Sequence, residues 1–136
     1  MRTLKSALIL AILAMLLIVT LARTIAAPRT GIWYVAPPPA GNDSNDCATV
    51  TTPCATINAA LNKPGFVAGD TVRVAVGTYT GTGDQVVLLN KSATLSGGWN
   101  SAFTAQTGMS TIDGERVRRG ISVYDYSYGG GINAID

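Results

Sequence analysis

Hydrophobic and polar positions divide the chain into three textures. Residues 7–22 are apolar at 15 of 16 positions, interrupted only by Thr20, so no polar face exists at a helical period. Between Gly31 and Asn62 short apolar stretches are separated by proline, asparagine and aspartate. From Thr71 onward, apolar runs of three to six residues alternate with glycine, aspartate, asparagine and serine.

These textures predict particular elements. Gly31–Ala36 is an aromatic and β-branched run that reads as a strand, stopped by Pro37-Pro38-Pro39 and followed by the turn-rich loop Gly41–Asp46. One helix is predicted at Thr56–Asn62. Ile57, Ala60 and Leu61 share a face there, Thr56 stands at its N-cap and Pro64-Gly65 ends it. So short a helix must lie on an apolar surface to persist. Further strands are predicted at Thr71–Val76, with Val72, Val74 and Val76 on one face, and at Gln85–Leu89, Ala93–Ser96, Ser110–Ile112 and Ile121–Tyr124. No helix of 10–15 residues separates these runs, which excludes ordinary βαβ crossovers and leaves antiparallel hairpins or a coil of strands. Val72 and Leu95 are 23 residues apart, Leu88 and Ile112 are 24, and Leu95 and Ile121 are 26. A recurrence of that length fits the successive rungs of a β-solenoid, whose inward residues form columns.

The apolar segment changes how the rest is read. Arg2 and Lys5 precede it without an acid, and small residues follow at Ala26 and Ala27, the arrangement of a secretory signal. Pro28 disfavours a cut after Ala27, so residues 1–26 are expected to leave. Sixteen helical residues span about 24 Å, short of a roughly 30 Å hydrocarbon core. An uncleaved anchor is the alternative, and only that outcome places the chain at a membrane. Removing Arg2, Lys5 and Arg23 turns the formal charge of +2 into −1, which carries no nucleic-acid footprint. All 15 glycines remain, a composition suited to short strands and tight turns. The chain has no histidine, which excludes Ser-His-Asp and Cys-His nucleophile pairs and HExxH zinc sites. Export also makes Cys47 and Cys54 readable. An oxidising destination favours their disulfide over free thiols, and two cysteines allow one pairing.

Four segments carry a resemblance. They are Tyr34-Val-Ala36 with Gly41-Asn-Asp43; Cys47 with Pro53-Cys-Ala-Thr-Ile57-Asn-Ala-Ala60; Ala68-Gly-Asp-Thr-Val72 leading into Val76-Gly-Thr-Tyr79; and Ala93-Thr-Leu-Ser-Gly-Gly-Trp99 with Ser110-Thr-Ile-Asp-Gly114. Together they resemble the N-terminal part of exported right-handed parallel β-helix proteins with a pectin-lyase-like fold, over roughly residues 33–123. The resemblance implies an all-β right-handed solenoid segment with a short N-terminal capping helix, preceded by the signal peptide. Residues 27–70 would supply the first strand, the cysteine loop and the cap, and residues 71–136 the first rungs. The helix at 56–62 would cover the open end, the Cys47–Cys54 loop would staple the approach to it, and Gly97-Gly98 would permit a tight turn between strands. Gly129-Gly-Gly-Ile132 resembles a repeat of adhesin-like β-helix proteins. Fewer than three rungs fit into 71–136, so the sequence reads as a piece of a longer protein.

The fold hosts lyases, hydrolases and adhesins, so function rests on the residues of a site. Asn42, Asp43, Ser44, Asn45 and Asp46 form an oxygen-rich candidate calcium loop without EF-hand spacing, or an ordinary Asx-turn loop; no other cofactor is expected. Trp33, Trp99, Tyr79 and Phe103 are candidates to stack on sugar rings or to pack a core, with Trp99 and Tyr79 singled out for glycan contact. Arg116, Arg118 and Arg119 lie beside Asp113 and Glu115. As a strand, 116 and 118 would share a face. A lyase site with an arginine base competes there with a solvated turn whose charges pair, and the second reading is favoured. Asn42-Asp-Ser44 and Asn90-Lys-Ser92 match the glycosylation acceptor pattern. The expectation is a secreted or cell-surface protein without catalysis of its own, binding polysaccharide or a cell-surface protein. The alternative is a fragment of a polysaccharide lyase or hydrolase whose catalytic rungs lie elsewhere.

Overall fold

The computed structural model describes residues 30–124. The expected signal segment 1–26 and the repeat-like stretch 129–132 lie outside the described residues. The described chain is mostly strand: β1 (Ile32–Val35), α1 (Ile57–Leu61), β2 (Asp70–Ala75), β3 (Gly77–Tyr79), β4 (Gln85–Leu89), β5 (Ala93–Trp99), β6 (Ser110–Ile112) and β7 (Arg119–Val123). It is an all-β architecture with one five-residue helix.

The strands form a three-stranded sheet β1-β2-β5 and two pairs, β3-β6 and β4-β7, and every pairing among these strands is parallel. The succession β2, β3, β4 is therefore laid down again, in order, as β5, β6, β7. Val72 pairs with Leu95, as the 23-residue spacing predicts. The other two spacings fail. Leu88 pairs with Ser122, Ile112 with Tyr79 and Ile121 with Val87. The reason is the loop between β5 and β6, which lengthens the second succession after β5 has already paired. It is closed at its base by an antiparallel bridge between Trp99 and Gln106.

Two glycines explain where that loop departs. Arg73 pairs with Ser96 but Ala75 pairs with Trp99, so Gly97 and Gly98 together face Val74 in a bulge. Gly98 has φ +80°, and a Cβ there would lie 2.5 Å from the Gly108 carbonyl oxygen. The pair thus bends a strand from within instead of turning the chain between strands. β3 is the one strand that the hydrophobic pattern misses, because Gly77-Thr-Tyr79 carries a single apolar ring.

Alternation along β1 and β2 sends Trp33, Val35, Val72 and Val74 into one core with Tyr79, Val86, Val87 and Leu89. Val76 was expected beside Val74 but is 42% exposed, because β2 ends at Ala75 and the chain turns into β3. Ile57, Ala60 and Leu61 of α1 close the same core, as their spacing predicts. The second succession is less enclosed: Leu95, Ile112, Ile121 and Val123 are only partly buried.

Candidate functional site

The N-terminal side of the sheets is covered by groups that imitate a strand. Tyr34 donates its N–H to the Cys47 carbonyl (2.8 Å) and accepts from the Cys54 N–H (2.9 Å), while Ala36 donates to the Cys54 carbonyl (2.9 Å). The cysteine loop thereby occupies the free edge of β1, and the Cys47–Cys54 disulfide closes it with Cα atoms 5.0 Å apart. Over β4 the same task falls to one side chain. Asn58 Nδ2 donates to the Val86 carbonyl (3.0 Å), and its Oδ1 accepts from the Leu88 N–H (2.9 Å). One amide thus satisfies one donor and one acceptor that an edge strand would leave open.

The candidate calcium loop uses its oxygens locally. Asn42 Oδ1 accepts from the Ser44 N–H (2.9 Å), and Asn45 Nδ2 donates to the Pro53 carbonyl (2.8 Å). Asp46 Oδ1 accepts from the Thr52 hydroxyl (2.5 Å) and the Ala48 N–H (3.1 Å), bonds that hold its carboxyl below the usual carboxylate value. Asp43 turns to the start of α1. Its Oδ1 accepts from the Ala55 and Thr56 N–H groups (2.8 Å each) and its Oδ2 from the Thr56 hydroxyl (3.0 Å). Thr56 Oγ1 accepts in turn from the Ala59 N–H, the predicted N-cap. Among the described residues no group of three or more His, Cys, Asp or Glu is placed to share a metal ion.

The aromatic candidates separate. Tyr79 is 5% exposed and its hydroxyl donates to the Ala75 carbonyl (2.8 Å). Burial raises its phenol well above the ordinary 10.0. It is a core residue with no open ring face, which corrects its assignment as a glycan contact. Trp33 and Phe103 are buried as well. Trp99 is half-buried on the outer side of the sheet, packed against Ala36, Ala75 and Phe103. The Arg73 guanidinium lies 4.2 Å over its ring and its Nε1 donates to Ser96 Oγ (3.0 Å). A cation therefore already occupies one face of that ring.

The arginine cluster is a turn, not a strand face. Arg119 opens β7, whereas Arg116 and Arg118 precede it, and Glu115 and Arg116 have left-handed φ of 53° and 60°. Arg118 pairs with Glu115 and donates from Nε to the Gly83 carbonyl (3.2 Å). Asp113 Oδ1 accepts from the Glu115 N–H (2.7 Å).

The strand expected from Thr71 leaves Asp70 outside it, with no role. Asp70 is 1% exposed. Its Oδ1 accepts from the Gly31 N–H (2.6 Å), and its Oδ2 from Trp33 Nε1 (2.8 Å) and the Val67 N–H (2.9 Å). Burial is the largest single influence on this carboxyl and pushes its pKa up; the bonds from Val67, Trp33 and Gly31 together outweigh it and hold it below 3.8. The residue ties the start of β1, the segment after α1 and the start of β2 to one point.

A cleft of about 400 Å³ opens between α1 and the turn joining β3 to β4. Asn58, Asn62, Thr80, Thr82, Gln85 and Asn90 line it, with Asp43 and Thr56 at one end and Val86 and Leu88 among its apolar surface. Asp43, Thr56 and Asn90 stand out in the sequence only for other reasons, and the cleft itself is not legible there, because its lining comes from three segments and no motif joins them. Comparison with protein-family models, curated proteins and solved structures gave no match.

Proposed function

We propose that the chain is an exported binding module without catalysis of its own, built as the capped start of a right-handed parallel β-helix. The observation that carries this reading is the ordered parallel pairing of β2, β3 and β4 with β5, β6 and β7. Parallel strands of one sheet joined by a crossover are right-handed in nearly all folds, which supplies the hand. The cysteine loop and Asn58 at the first edges support the reading of a cap. The disulfide fits an oxidising location outside the cell, secreted or at the cell surface. Among the described residues no helix is long and apolar enough to cross a membrane. The expected ligand is a polysaccharide or a cell-surface protein.

The test is incubation of the exported full chain with a panel of polysaccharides, reading retention and the release of reducing or unsaturated ends. Retention without release is expected. The partly buried inner residues of the second succession favour a second reading, in which further rungs of a lyase or hydrolase stack on it. Cleavage that disappears in Arg118→Ala would replace the first reading with an enzyme.

A further inference from the structure

We propose that the cleft between α1 and the turn preceding β4 binds an uncharged, hydroxyl-rich oligosaccharide segment, in preference to a polyuronate. This rests on the binding-module reading above and assigns its site. Among the described residues, five of the lining side chains, Asn62, Thr80, Thr82, Gln85 and Asn90, find no hydrogen-bond partner, so their donors and acceptors are open to a ligand. Three are amides and two are hydroxyls. Each group both donates and accepts, as each hydroxyl of a sugar does. Leu88, partly exposed, adds apolar surface against which the C–H face of a sugar ring can lie. The volume falls within the usual range for small-ligand sites.

The wall that presents these groups is fixed before any ligand arrives. Asn58 is bonded twice to β4, and Thr56 is bonded to Asp43 and to the first turn of α1. Binding therefore orders few side chains beyond the five.

Charge selects among sugars. Among the described residues the charged side chain lining the cleft is Asp43, whose two oxygens already accept three hydrogen bonds. Among the described residues no lysine or arginine lines it. The cations on neighbouring segments each commit a donor to a backbone carbonyl: Lys63 Nζ to Asp43 (2.9 Å), Lys91 Nζ to Leu61 (3.1 Å) and Arg118 Nε to Gly83 (3.2 Å), with Arg118 also paired to Glu115. A uronate carboxylate entering here would meet the like charge of Asp43, whereas a neutral hexose would not.

The experiment uses the full chain exported to a bacterial periplasm, so that the disulfide forms and Asn90 carries no glycan. Binding to neutral oligosaccharides (gluco-, manno- and galacto-series) and to oligogalacturonate is measured by titration, for the parent protein and for Gln85→Ala, Asn90→Ala and Trp99→Ala. Thermal melts confirm that each variant is folded. Binding to at least one neutral series is expected, at least tenfold tighter than to oligogalacturonate. It should weaken fivefold or more in Gln85→Ala and Asn90→Ala and stay within twofold in Trp99→Ala. Loss confined to Trp99→Ala, or a preference for oligogalacturonate, would overturn the cleft assignment while leaving a glycan-binding module. Turnover of any glycan would overturn the module reading itself, and absence of binding to every series would overturn the neutral-glycan assignment.

Discussion

At the scale of single residues, Asp70 is a carboxylate removed from water and held by three N–H groups. Asp70→Asn keeps the volume but replaces an oxygen acceptor with an NH₂ that confronts other donors. A loss of about 2–4 kcal/mol in unfolding free energy is expected, read by denaturant titration at neutral pH. The carboxyl is more acidic folded than unfolded, so its contribution is full above the unfolded value near 3.8 and is lost as pH falls through the lower folded value. Melting temperatures of the parent protein should therefore drop between about pH 5 and pH 2, and that portion of the slope should vanish in Asp70→Asn. Tyr79 works in the opposite direction. Its phenol is raised by burial, so the stability it lends is complete below the ordinary value of 10.0 and is lost as pH climbs beyond it. Tyr79→Phe should lose about 0.5–1.5 kcal/mol with the Ala75 hydrogen bond and should resist alkaline unfolding better than the parent. Neither role was legible in advance: a buried aspartate and an exposed one look alike in a sequence until the segments that donate to them are brought together.

At the scale of elements, α1 shows how a local pattern and a non-local one combine. Its limits and inward face follow from Thr56 and the spacing of Ile57, Ala60 and Leu61, all readable along the chain. What holds it in place was not readable, because Asn58 finds its partners at positions 86 and 88 and Asp43 reaches forward to residues 55 and 56. Asn58→Ala should uncover one N–H and one carbonyl of β4 and lower stability by about 1–3 kcal/mol, measured by thermal denaturation. Asn58→Asp, which restores only the acceptor, should recover part of that loss. The strands were legible where apolar residues alternate, and their ends shifted where glycine intervened. Val76 was misplaced because alternation was carried past the end of β2. Gly97-Gly98 was misread because a glycine pair within a strand and one between strands give the same string.

At the scale of the molecule, enclosure declines from the capped edge toward β5, β6 and β7. Val35, Val72 and Val87 are fully enclosed, whereas Leu95 and Ile121 are partly open. Native-state hydrogen exchange should follow this gradient, with the amides of β1 and β2 exchanging most slowly and those of β6 and β7 soonest. A uniform rate across all seven strands would refute it. The all-β class was readable from composition and run length, and one of three spacings named a true pair. The other two failed because the segment after Trp99 adds length without adding a strand. That segment leaves the sheet and rejoins it at neighbouring points, held by the Trp99–Gln106 bridge and anchored by the buried ring of Phe103. The energetic cost of lengthening such a loop grows only with the logarithm of its size. Its exposed positions Ser101 and Ala102, which make none of the bridge's hydrogen bonds, are thus a natural port for foreign sequence, where a peptide epitope can be grafted and carried on the rigid sheet with the Trp99–Gln106 bridge left in place.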